Sequence, residues 1–96
     1  MFPGLTTKLS EETLATAATI EPRADLVKLT GTTSIATIIG QFGGGFSGIM
    51  LVVPLDGTVA TLTTGNIAAA VSMPASQVTV LVFSKEEQLW YPGAIS

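Results

Sequence analysis

The sequence predicts an all-β protein: a small β-sandwich, jelly-roll or Greek-key like, with a short N-terminal arm. Three observations predict it. Ile49-Met50-Leu51-Val52-Val53 and Val78-Thr79-Val80-Leu81-Val82-Phe83 are short, almost unbroken apolar runs. Successive strand side chains point to opposite faces, so such runs need cover on both sides. Fourteen threonines lie among short β-branched runs separated by turn residues, the composition of half-buried pleated surfaces. No stretch holds a helical apolar period over a useful length, which leaves sheet packed on sheet as the architecture.

The arm comprises residues 1–19 and the β-sandwich domain residues 20–96, with no internal repeat and no linker that would split off a second domain. Phe2-Pro3-Gly4 breaks regular structure, and Ser10-Glu11-Glu12-Thr13-Leu14-Ala15 places an N-cap serine before acids, the pattern of one short helical turn. Strands are predicted at 25–29, 34–39, 46–53, 59–62, 67–71, 78–83 and 88–91, with 17–20 as an eighth candidate. Asp56-Gly57 reads as a two-residue hairpin turn of type I′, which requires positive φ at both central residues. Gly65-Asn66 is a turn of similar logic, and Ser84-Lys85-Glu86-Glu87 reads as a solvated hairpin loop.

Charge and residue types narrow the chemistry. The chain of 96 residues is 47% hydrophobic and only 11% charged, against roughly 25% charged in ordinary soluble domains. Burial in an assembly accounts for so few charges. A small domain buries only ~60–65% of the surface its unfolded chain exposes, so two strands apolar on both faces call for neighbouring subunits as a further layer. Four Lys/Arg against seven Asp/Glu give a net charge of −3 with no basic cluster, which argues against a nucleic-acid partner. Residues 1–20 lack a long apolar signal core, and the apolar run 49–55 contains Pro54 and is far too short to span a membrane. A soluble protein without export is expected.

No histidine or cysteine is present, which removes the commonest general base, the commonest transition-metal ligand and every thiol. Gly43-Gly44-Gly45-Phe46-Ser47-Gly48 matches the dinucleotide fingerprint in letters. It opens an apolar strand and not a helix, so it reads as a loop between strands where glycines permit close backbone approach. Glu11-Glu12 and Glu86-Glu87 are adjacent carboxylates, which diverge on an extended chain and cannot share a glycosidase cleft. No catalytic, cofactor or metal residue is therefore expected, and the protein is read as no enzyme. Trp90-Tyr91 reads as an interface or core anchor, with a sugar-stacking platform as the alternative.

Residues 20–91 resemble a small β-sandwich module of tailed-bacteriophage virion proteins. The residues that carry the resemblance are Leu29-Thr30-Gly31-Thr32, Ile35 and Ile38, the glycine-rich segment leading into Ile49-Met50-Leu51, then Gly65-Asn66-Ile67, and a final apolar strand, polar turn and Trp90-Tyr91. Similar patterns occur in capsid decoration (cement) proteins and in tail fibre and spike modules, which commonly trimerise. A module with only a short arm suits a cement protein better than a fibre. The resemblance implies a virion protein on the outer capsid surface, made in the host cytoplasm, that binds the major capsid protein and itself as a homotrimer. A fibre-tip or receptor-binding module facing a glycan is the alternative. The residues placed between subunits are Ile49, Leu51, Val53, Val80, Val82, Trp90 and Tyr91, and the capsid-binding arm uses Phe2, Leu5, Leu9 and Leu14. Alternation does not reveal which strand face is inward when both are apolar.

Overall fold

The computed structural model describes residues 10–39 and 48–93. Among the described residues nine strands run in chain order: β1 (Glu11–Ala15), β2 (Thr19–Ile20), β3 (Leu26–Thr30), β4 (Thr37–Ile38), β5 (Gly48–Pro54), β6 (Val59–Ala60), β7 (Ser72–Met73), β8 (Thr79–Ser84) and β9 (Leu89–Pro92). Five of them form one mixed sheet in the order β1-β3-β5-β8-β9. β1, β3 and β5 are parallel neighbours, whereas β8 pairs antiparallel with β5 and β9 antiparallel with β8. The short strands form two further pairs, β2 parallel to β4 and β6 antiparallel to β7, which a parallel bridge between Ile35 and Thr61 joins.

The chain reaches each parallel strand of the main sheet by way of a short strand: β2 lies between β1 and β3, and β4 between β3 and β5. Parallel neighbours require such crossovers. The fold is thus all-β, with its first half wound in parallel turns. Buried Ile20, Ile35, Ile38, Val59, Ile67 and Met73 from the short strands and their connections join Val27, Leu29, Met50, Val52, Leu81, Phe83 and Trp90 of the main sheet in one core. Phe83 and Trp90 face each other across β8 and β9 with ring centres 5.2 Å apart.

Alternation settles which side of the apolar strands is internal. Met50, Val52 and Pro54 of β5 and Thr79, Leu81 and Phe83 of β8 are buried, while Ile49 and Val82 are exposed. Trp90, expected between subunits, is buried in the core and only 1% exposed. Its indole N–H donates to the Ile38 carbonyl at 3.3 Å. A single aromatic of that size gains more from a closed core than from a half-covered face.

Three local expectations need correction. Glu11–Ala15 is a strand and not a helical turn. One isolated turn has a costly nucleus and few hydrogen bonds, whereas a parallel ladder with β3 gives every second residue of this backbone its partners. Ser10 still caps, but it caps a strand start: its hydroxyl accepts from the Asp25 N–H at 3.0 Å and donates to the Asp25 carboxylate at 3.2 Å. Residues 10–19 therefore belong to the β-structure and not to a separate arm, and Leu14 packs against the core. The predicted strand 67–71 is reduced to a bridge at Ile67, and the nearby strand is Ser72–Met73 instead. Thr61 replaces the missing ladder there, its hydroxyl donating to the Ala69 carbonyl at 2.8 Å and accepting from the Val71 N–H at 2.9 Å. Asp56-Gly57 is no type I′ hairpin, since β5 and β6 do not pair and neither residue has positive φ. The Asp56 carboxylate instead accepts from the N–H of Gly31, which sits at φ 76°, at 2.7 Å.

The charged loop follows its sequence cue, whereas Gly65-Asn66 is a bend in which neither residue has positive φ, and not a turn of the type I′ kind. The loop from β8 to β9 is the charged one, closed by Gln88 N–H donating to the Ser84 carbonyl at 2.8 Å with Gln88 at φ 58°. At Gly65 a Cβ would collide with the Ala36 carbonyl and the Thr37 hydroxyl, so the close approach selects glycine. Next to it Asn66 clamps Ile38 from both sides: its Oδ1 accepts from the Ile38 N–H and its Nδ2 donates to the Ile38 carbonyl, each at 2.8 Å.

Candidate functional site: the outer face of the main sheet

Strand register assembles a continuous apolar surface on the side of the main sheet away from the core. One row across it is Ile49, Val82 and Tyr91, and the next is Leu26, Leu51 and Val80. Val53 lies beside Lys28 in a third. Ile49 is 58% exposed and Val82 and Tyr91 are each 39% exposed, while Leu26, Leu51, Val53 and Val80 are half-buried among their neighbours. Apart from Tyr91 on the edge strand β9, these positions are β-branched and aliphatic residues on β3, β5 and β8, types that suit a pleated, half-buried surface. The surface therefore has a rigid hydrogen-bonded backing and an apolar front.

Charges lie at its margins. On the β1 side Lys28 pairs with Glu11, and both side chains remain partly in water. At the opposite side the Tyr91 hydroxyl donates to the Glu87 carboxylate. That hydrogen bond, followed by partial desolvation and by the carboxylate's negative charge, raises the Tyr91 phenol above its ordinary value. Burying a fully exposed branched side chain contributes about 1.5–3 kcal/mol, and Ile49 at 58% and Val82 at 39% exposure hold the corresponding fractions of it for a partner.

Six of the seven residues expected between subunits, Ile49, Leu51, Val53, Val80, Val82 and Tyr91, thus share one face. Leu26 belongs to the same face and was not among them. Its membership depends on the parallel pairing of β3 with β5, which no local pattern in the sequence marks. Of the expected arm residues, Leu14 packs on the core, while Phe2, Leu5 and Leu9 lie outside the described residues, as does most of the Gly43–Gly48 motif. The adjacent carboxylates separate as expected of a strand: Glu11 pairs with Lys28, and Glu12 accepts from the Arg23 N–H at 2.9 Å. Among the described residues no three His, Cys, Asp or Glu side chains form a group able to hold a metal ion. What the outer face offers chemically is apolar area of fixed shape.

No family model, curated protein or solved structure matches this chain.

Proposed function

We propose that the protein is a non-enzymatic structural module of a phage virion, a capsid decoration protein that reinforces the head by binding its major capsid subunits. The observation that carries the assembly half of this proposal is the apolar face centred on Ile49 and Val82, exposed among the described residues. A face of that kind costs free energy in water and recovers it on contact with a similar face. A second copy supplies such a face, so the outer side of the main sheet joins copies into a homotrimer, with the N-terminal residues attaching to the shell. The virion setting, and with it location on the outer capsid, rests on the resemblance carried by residues 20–91. Binding the assembled lattice and not the loosened one stabilises it by mass action.

The finer reading of the fold belongs to the same proposal: the short strands cover the inner side of the main sheet as the second layer of a small sandwich. Its parallel turns depart from a purely antiparallel jelly roll. A tail fibre or receptor-binding module is the second reading, with exposed Tyr91 as the feature that a glycan ring could use. Co-sedimentation with empty phage heads lacking this protein, run beside binding to cell-surface polysaccharide, separates the two. Saturable binding to heads supports decoration. Binding to polysaccharide without binding to heads refutes it in favour of the fibre reading.

A further inference from the structure

The two edges of the main sheet are not alike. Along β9 the chain closes its own edge: the Trp90 N–H donates to the Asn66 carbonyl and the Ala68 N–H to the Trp90 carbonyl, each at 2.8 Å, and Ile67 bridges Trp90. Along β1 the described residues provide no such cover. In a parallel pair alternate residues turn both backbone groups toward the neighbour. The Ser10 carbonyl accepts from the Leu26 N–H and the Thr16 N–H donates to the Thr30 carbonyl. By that alternation Glu12 and Leu14 also face β3, and Glu11, Thr13 and Ala15 direct their N–H and C=O groups outward. All three are exposed.

We infer that the β1 edge pairs with β1 of a second copy, antiparallel and about a two-fold axis through Thr13. This register sets Thr13 opposite Thr13 and Glu11 opposite Ala15, so every outward backbone group of the three residues meets a partner. The side chains permit it. Free edges are commonly protected by charge, yet neither carboxylate of β1 stands opposite another here, Glu11 is already paired with Lys28, and Glu12 is already held by the Arg23 N–H. Two threonines facing each other across a strand pair are favourable. Any parallel copy or shifted register would lose either the hydrogen bonds or the Glu11–Ala15 opposition. The contact is isologous, as two-fold interfaces are, and it joins two main sheets edge to edge with their apolar outer faces on adjoining surfaces. It stands apart from the virion setting. Should the proposed trimer also hold, a two-fold edge contact would link trimers into a net.

Hydrogen exchange of the full chain across a dilution series, with Glu12 and Leu14 as internal references already bonded to β3, reads this contact directly. The amides of Glu11, Thr13 and Ala15 are expected to slow at least about tenfold as concentration rises. Thr13→Glu and Thr13→Lys each place like charges face to face at the axis, so each alone should lose that dependence. An equimolar mixture of the two should regain it, because only there do opposite charges meet. Rapid exchange of the three amides at every concentration means that water covers the edge, and slow exchange at every concentration means that the chain covers it itself. Either result overturns the inference, as does wild-type behaviour of both single variants. Failure to bind phage heads would leave it standing.

Discussion

At the scale of residues, this core is held by a few polar contacts whose worth differs sharply. Thr61 and Asn66 are satisfied on more than one side, whereas the buried Thr79 hydroxyl finds no partner among the described residues. An unpaired buried hydroxyl costs roughly 1–3 kcal/mol, and valine has nearly the same shape. Thr79→Val should therefore stabilise the fold by about 1 kcal/mol, seen as a higher urea midpoint with an unchanged slope. Tyr91 is the chain's one tyrosine, so phenolate absorbance reports it alone. Its midpoint should lie above 10.0, and Glu87→Gln should lower it by removing the carboxylate. The sign is that of a raised group: the neutral phenol favours the folded contact, which is complete below the ordinary phenol value and lost as pH rises through the folded one. A midpoint unmoved by Glu87→Gln would show that the hydrogen bond does not persist in solution.

At the scale of elements, β1 belongs to the main sheet. Its backbone ladder with β3 and the inward packing of Leu14 make it structural, although the preceding residues are read as an attachment arm. Deleting residues 1–9 should leave circular dichroism almost unchanged while lowering occupancy on phage heads. Deleting residues 1–15 should do more, because it bares the edge of β3, removes Leu14 from the core and unpairs Lys28. Loss of β-signal on the shorter deletion would place the arm in the core, and equal head occupancy would show that it is no anchor. The parallel turns also explain why the strands were easier to read than their partners. Side-chain alternation has the same period in both pairing directions, and Asp56-Gly57, a hairpin signal on local grounds, instead carries the chain from the main sheet to β6 and bonds Gly31 on another connection.

At the scale of the whole molecule, one sheet face builds the core and the other exposes Ile49, Val82 and Tyr91, where the proposal places the partner. Val82 tests that division. Its side chain lies on the outer face, so Val82→Asp should fold with a wild-type dichroism spectrum and yet fail to assemble, since association would bury a carboxylate without a counter-ion. A variant that assembles normally would remove the outer face from the interface. The assembled state itself is expected to be a homotrimer, visible by native mass spectrometry if it forms free, or in a particle reconstruction if it forms only on the lattice. Isolated subunits on the lattice, touching no other copy, would refute it.

The sequence by itself determined that this is a β-protein, where β3, β5, β8 and β9 lie to within a few residues, that the 84–88 region turns, and that β5 and β8 are apolar on both sides. Those properties follow from β-branching, alternation and turn chemistry, all of which act over a few neighbouring residues. Only the tertiary structure decided that Met50 and Leu81 point inward while Ile49 and Val82 point out, that Trp90 enters the core, and that Glu11–Ala15 is a strand. Each of those outcomes depends on a partner distant in the chain: β3 for β1, Ile38 for Trp90, and the short strands for the inner face. Local pattern cannot weigh such partners, because two apolar faces are equivalent until something packs against one of them.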